Sequence, residues 1–402
     1  MVPEDKRMGR LSRAIFILCM TALAGCTHAN LMPQATLTES LAQDLRGYLT
    51  DRGAAEHISA ISLSLSLHGR PSTVDVAVGT TTFGGSTPVT PANLFQIGSN
   101  TKAFTAVILL QLEAENKLNV NQTVGFWLPG QYPSWNNVTI KQLLSMTSGI
   151  ATYDNSLTFQ HDYSSAPTAF FSAPQLIAYV SQSAPLQPGW VYSNTGYELA
   201  QLIIEKVTGN PYATEVQNRL IGPLGLHSTY YDANIYPTNV QDQMVSGYFD
   251  NSGPGNEGLA PLLERDQKPL STSWAQAAGG IVSSPSDMTR WVRALYQGSV
   301  LASTQRSEMM SLVSQSTGAQ IAQVSASEPR GFGLGVAEIF KPDVGGAIWF
   351  YEGETLGYRV LHVYFPVQDA VLVIGLNSQP TDDQIGQLLT PVYQTLVAYR
   401  QL

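Results

Sequence analysis

The chain is poor in cysteine, in charge and in long apolar runs, and each shortage closes off a class of function. Its two cysteines, Cys19 and Cys26, both stand near the N-terminus. The rest of the chain therefore has no thiol to serve as a nucleophile, a disulfide or a zinc ligand. Charged residues make up 13% of the 402, and 30 acidic residues against 21 basic ones give a net charge of −9. No basic patch is present, which argues against a nucleic-acid partner. The apolar run Ala14–Gly25 is shorter than the roughly 20 residues that cross a bilayer. The six histidines, His28, His57, His68, His161, His227 and His362, show no metal-ligand spacing and read as surface or packing residues. There is no G-x-S-x-G elbow, no phosphate-binding loop and no dinucleotide fingerprint. No cofactor and no metal are implied.

What is present begins with an address. Lys6, Arg7, Arg10 and Arg13 precede or border the apolar run, the pattern of a secretory leader over residues 1–25. The leader ends in Leu23-Ala24-Gly25-Cys26, which resembles a bacterial lipobox. That resemblance implies cleavage before Cys26 and lipidation of its thiol, and several acyl chains would anchor the protein stably to a membrane. Thr27 carries no retention signal. The implied location is the bacterial cell envelope, at the outer membrane facing the periplasm. Without the leader's four basic and two acidic residues the balance is 17 against 28, or −11.

Hydrophobic residues at 44% can bury a substantial core. Residues 26–40 read as a polar tether and 41–402 as the folded domain. Leu37, Leu41, Leu45 and Leu49 recur every four positions and predict an amphipathic helix. Ile58–Leu67 alternates and predicts a strand, with Val74–Val78 as its hairpin partner. Ala103–Leu112 is apolar all round except Thr105 and Gln111, which predicts a buried helix. Helical patterns follow at Ile140–Met146, Pro174–Gln182, Thr195–Val207 and Tyr212–Leu220, then a polar excursion over Tyr230–Ser273. Pro285–Tyr296 and Ser303–Val313 read as helices. The end reads as strands Phe332–Ile339, Ala347–Phe350, Tyr358–Phe365 and Ala370–Leu376, then a helix over Asp382–Tyr399. The expected fold class is α/β (α+β). One antiparallel sheet joins both chain ends and is flanked by helices. Its α/β part covers 41–100 and 279–402, and a helical subdomain covers 101–278.

Chemistry concentrates at Ser99-Asn100-Thr101-Lys102. A hydroxyl is a weak nucleophile at neutral pH and needs a base within hydrogen-bond reach. Residues i and i+3 share a helix face, which brings Lys102 to Ser99. At a helix start the Ser99 N–H is free and suits an oxyanion hole. Two Tyr-x-Asn triplets follow, Tyr153-Asp154-Asn155 and Tyr192-Ser193-Asn194. The second sits in a turn leading into a helix and is the better candidate. A cation beside Tyr192 would favour its phenolate, so Tyr192 could shuttle a proton between Ser99 and a leaving group. Asn194 would donate a hydrogen bond to a substrate carbonyl.

These segments resemble the serine β-lactamase-like superfamily, in the branch of class C β-lactamases, D-alanyl-D-alanine carboxypeptidases and family VIII esterases. The matching text is Phe95–Lys102, Ile140–Ile150, Pro188–Gly209 and Ala278–Trp291, in order, and the resemblance covers roughly residues 40–400. It implies a β-lactamase/transpeptidase-like fold and a serine hydrolase that cleaves an amide or ester through an acyl-enzyme on Ser99, with Lys102 and Tyr192 moving the proton. It also implies that the N–H groups of Ser99 and Glu354 hold the oxyanion, and that Asn194, Tyr351 and Gly353 contact substrate. The family's third motif is Lys or His, any residue, then Gly; here it reads Tyr351-Glu352-Gly353. Tyr351 donates a hydrogen bond without a charge, Glu352 and Glu354 add negative charge, and Arg359 is a candidate replacement cation. The substrate is then a D-alanyl peptide, a β-lactam or an ester, with neutral esters and amides relatively favoured over carboxylates. The competing reading is a non-hydrolytic penicillin-binding-like sensor lipoprotein, against which the intact Ser99, Lys102 and Tyr192 speak.

Overall fold

The computed structural model describes residues 35–298 and 300–402. The leader, Cys26 and most of the tether lie outside them. The first helix, α1 (Leu37–Arg52), begins inside the stretch read as tether. Thr36 and Glu39 close its start reciprocally, Glu39 N–H donating to Thr36 Oγ1 at 3.2 Å and Thr36 N–H to Glu39 Oε2 at 2.7 Å. Leu41, Leu45 and Tyr48 turn inward.

Nine strands form the main sheet. They are β1 (Ala60–Ser66), β2 (Val74–Gly79), β3 (Leu312–Ser314), β4 (Gln320–Ile321), β5 (Arg330–Phe332), β6 (Ala337–Lys341), β7 (Gly346–Thr355), β8 (Tyr358–Phe365) and β9 (Ala370–Leu376). Their order is β2-β1-β9-β8-β7-β6-β5-β3-β4, with every pairing antiparallel. Both chain ends thus build one sheet, and Ile61 lies opposite Leu376. The Leu/Ser alternation of β1 does not mark a wet face: Ile61, Leu63 and Leu65 pack toward α1, yet Ser62 and Ser64 are also buried. A helix, α5 (Pro285–Gln297), covers them and sends Thr289 Oγ1 to the Ser64 carbonyl at 3.3 Å. The other sheet face carries α1 and the last helix, α6 (Ile385–Ala398).

Three helices between the two sheet halves position the site: α2 (Thr101–Ala114), α3 (Asn194–Thr208) and the short α4 (Gln276–Gly279). From Thr101 through Leu110, α2 is buried without a break, as an all-round apolar helix must be. Four boundaries differ from the sequence pattern. The Phe332–Ile339 run is two strand ends around a turn, because Gly335 sits at φ +76° where a Cβ would lie 2.8 Å from the Lys102 carbonyl oxygen. Ser303–Val313 is helical only to Met309 and then enters β3. Tyr212–Leu220 is helical to Val216 and continues as a wider π turn over Gln217–Ile221. Strand β7 runs on through Thr355, so the third motif lies on a strand rather than in a turn.

Candidate active site

Ser99 stands in a single 3₁₀ turn, Gly98–Asn100, that opens directly into α2. Gly98 has φ +51°, and a Cβ there would meet Glu354 backbone atoms at 2.4 to 2.6 Å. This close approach brings the Ser99 turn against the end of β7. Asn100 locks it: its Nδ2 donates to the carbonyls of Ile97 at 3.0 Å and Val360 at 2.7 Å. His362 Nδ1 donates to Asn100 Oδ1 at 2.7 Å. Burial lowers the His362 pKa to about 3, so the ring is neutral and its Nε2 accepts from Tyr296 Oη at 3.2 Å. His362 is thus a packing residue that holds the Ser99 turn.

Lys102 is fully buried. Its Nζ lies 2.9 Å from Ser99 Oγ, 2.6 Å from Asn194 Oδ1 and 2.8 Å from the Ala278 carbonyl oxygen. The last two atoms can only accept, so they claim two N–H bonds of the amine. Desolvation lowers the Lys102 pKa to about 7, against the opposing pull of Asp154 and Glu198. As a free amine, Lys102 aims its lone pair at the Ser99 hydroxyl.

Tyr192 Oη lies 2.5 Å from Ser99 Oγ on the other side. The expected ease of ionisation is overturned. Burial drives the Tyr192 pKa well above the usual phenol value, which the hydrogen bond to Ser99 offsets only in part. A phenolate here would lose its hydration beside an amine that is itself half neutral. Tyr153, from the first triplet, donates instead to the Trp274 carbonyl at 2.5 Å and does not reach Ser99. Asn194 also departs from its expected role. Its Oδ1 serves Lys102 and its Nδ2 donates to Asp154 Oδ2 at 3.0 Å, so its amide orients the lysine first.

The third motif divides. Tyr351 is buried, with its phenol facing Tyr192 and Ser99. Gly353 is a packing residue rather than a substrate contact: a Cβ there would lie 2.0 Å from the Ile97 carbonyl oxygen. Glu352 and Glu354 line the cleft, and Glu354 Oε2 accepts from Gln379 at 3.1 Å. Burial, then the charges of Asp383 and Glu354, push Glu352 well above the usual carboxylate range. Arg359 does not replace the missing cation. It lies directly across the strand pair from Glu354, fully buried and already engaged, where Nη2 reaches Glu56 Oε2 at 2.7 Å and Nη1 pairs with Asp383.

The cleft over Ser99 holds about 360 Å³. Phe159, Tyr163, Trp274 and Leu356 give it an apolar wall, and the excursion contributes Asn256 and Leu259. Asp154, Glu352 and Glu354 line it, and among the described residues no lysine or arginine does. Glu352, Glu354 and Asp383 also approach one another closely, the one such acidic group among the described residues.

The antiparallel sheet flanked by helices makes this a protein of the β-lactamase/transpeptidase fold. More narrowly, the chain belongs to the beta-lactamase family, whose sequence profile matches residues 45–389. It is 27% identical over 306 residues to penicillin-binding protein 4* of Bacillus subtilis, covering 75% of this chain but 64% of that protein. It thus spans under two-thirds of that relative. A solved D-stereospecific amidohydrolase from Streptomyces sp. superposes with TM-score 0.71 at 26% identity, covering 88% of this chain and 97% of the other. The D-amino acid amidase of Ochrobactrum anthropi SV3 in complex with L-phenylalanine shares the fold, with TM-score 0.74 at 23% identity over 89% of this chain and 99% of that one. The Streptomyces neighbour is a hydrolase, and the chain is related to penicillin-binding proteins.

Proposed function

We propose that the protein is a serine hydrolase that cleaves an amide or ester bond through an acyl-enzyme on Ser99. The observation that carries this reading is Ser99 Oγ held between Lys102 Nζ at 2.9 Å and Tyr192 Oη at 2.5 Å. As Oγ attacks a carbonyl carbon, neutral Lys102 takes its proton. The N–H groups of Ser99 and Glu354 receive the oxyanion. Tyr192, a neutral phenol, gives its proton to the departing nitrogen or oxygen and regains one from Lys102. Water then attacks the acyl-enzyme and frees Ser99. Asn194 orients Lys102.

The cleft favours substrates without a carboxylate beside the scissile bond. Tyr351 stands where the family carries a cation, and the charged side chains on the wall are acidic among the described residues. Amides and neutral esters suit it better than penicillins or D-alanyl peptides, and the likeness to the two amidases supports an amide. The test incubates protein lacking residues 1–26 with a chromogenic neutral ester, an amino acid amide and a penicillin, with Ser99→Ala as control. Turnover of the first two by wild type alone is expected. Turnover that survives in Ser99→Ala would remove Ser99 as nucleophile, and a lasting penicillin adduct without ester turnover would favour the sensor reading. We also propose that Cys26 carries the lipid that holds the enzyme at the outer membrane. Incorporation of labelled palmitate that Cys26→Ala abolishes is the expected result.

A further inference from the structure

Behind Lys102 lies a buried acid that the steps above do not use. Glu198 is on α3, one turn after Asn194, and is fully buried. Helix α3 packs on both α2 and α4, which carry Lys102 and Ala278. Neither Glu198 carboxyl oxygen has a hydrogen-bond partner of ordinary geometry, although the Ala278 N–H faces it, and no cation lies within ion-pair distance of it among the described residues. A carboxylate in such a place is costly, and a protonated acid costs far less. Lys102 faces the mirror problem, since its ammonium is equally cut off from water.

We infer that Glu198 is a positioning residue acting through Lys102: the two buried side chains hold one proton between them, and Glu198 carries it when Lys102 is the free amine that Ser99 needs. The inference rests on the reading of Lys102 as base. The two states are Lys102 ammonium with Glu198 carboxylate, and Lys102 amine with Glu198 acid; both have the same proton count and no net charge. The electrostatics agree, because Glu198 favours the charged form of Lys102, and Lys102 draws down a Glu198 carboxyl that burial pushes well up. The other groups facing the pair are Asp154 from the cleft, Glu205 further along α3, the phenols of Tyr192 and Tyr197 beside Lys102, and those of Tyr153, Tyr212 and Tyr231 near Glu198. Burial keeps all five phenols protonated, so they do not take up the shared proton.

Glu198→Gln keeps the shape and removes the exchangeable proton. In wild type the amine is reached through two coupled ionisations, so the acid limb of kcat/KM on a neutral ester is expected to be broad, and Glu198→Gln leaves one ionisation and should sharpen it to a single-proton step. A limb of unchanged shape in a folded variant would overturn the inference. A purely structural Glu198 would change Tm or kcat without changing the shape of the limb. The second readout is infrared difference spectroscopy in the Ser99→Ala background, independent of turnover. A carboxylic-acid carbonyl band is expected at neutral pH and lost in Ser99→Ala with Glu198→Gln. Absence of that band would mean a permanent carboxylate and would also overturn the inference, whereas failure of Ser99 as nucleophile leaves the band unaffected. If the glutamine variant does not fold, Glu198→Met removes the charge at similar volume and carries both readouts.

Discussion

Asn194 stands between Lys102 and Asp154, taking a hydrogen bond from the first through Oδ1 at 2.6 Å and giving one to the second through Nδ2 at 3.0 Å. The amide passes orientation, not charge, from the acid to the lysine. Asn194→Asp would put a carboxylate directly on Nζ and favour the ammonium. Activity on a neutral ester should collapse at neutral pH and recover on raising the pH by roughly two units. A pH–rate profile of kcat/KM reads this, and a uniform loss without recovery would reject it.

Lys102 sets both activity and stability. With its pKa lowered by desolvation to about 7, kcat/KM should rise with pH through about 7, since only the amine accepts the Ser99 proton. Unfolding returns the side chain to its ordinary value of 10.5. Between those values the unfolded Lys102 binds a proton that the native Lys102 lacks, so this group by itself makes stability rise with pH across that window, a slope that the proton held on buried Glu198 opposes. Its burial therefore costs most on the acid side. Lys102→Met should raise Tm near pH 6 while lowering turnover about 10³-fold. Calorimetry and steady-state kinetics on the same preparation decide it.

Tyr351 occupies the position of the family's cation but is buried against Tyr192. Tyr351→Lys should raise kcat/KM on substrates bearing a carboxylate relative to neutral esters. The ratio of the two rates is the measurement, because a partly destabilised variant lowers both together. An unchanged ratio would mean that Tyr351 does not read that group.

Arg359, Glu56 and Asp383 tie β8 to the segments that follow α1 and precede α6. Removing Arg359 takes one of two arginines from buried Glu56, which keeps Arg52 at 2.6 Å, so the cost is about 1–3 kcal/mol. Arg359→Met should lower the midpoint of urea unfolding by a matching amount and leave the kcat of the folded fraction within about twofold. A large fall in kcat at unchanged stability would instead place Arg359 in the site.

Local patterns showed much of this molecule. The four-residue leucine spacing marked α1, and the alternating run marked β1 and its hairpin. The i, i+3 rule brought Lys102 to Ser99. What stayed hidden depends on partners far along the chain. Glu198 looks like one more polar position on a helix, and only the packing of α3 against α2 and α4 buries it. Asp154 belongs to the triplet set aside in favour of Tyr192, and its role follows from a contact with Asn194. Arg359 seemed free to serve the cleft because its acidic partners are distant in sequence. The burial of the β1 serines also stayed hidden, because alternation records polarity and is blind to a helix laid over it.

The sheet that joins the two chain ends also has a meaning in time. Ser99, Lys102 and Tyr192 emerge well before the Glu354 backbone that meets the Ser99 turn and the strand that seals β1. Until those arrive the β1–β2 hairpin has an unpaired edge and the Ser99 turn lacks the strand end that packs on it. A growing polypeptide that has reached Tyr192 thus carries the serine, the lysine and the tyrosine without the surroundings that hold them, and pairing over such sequence distances is slow to form.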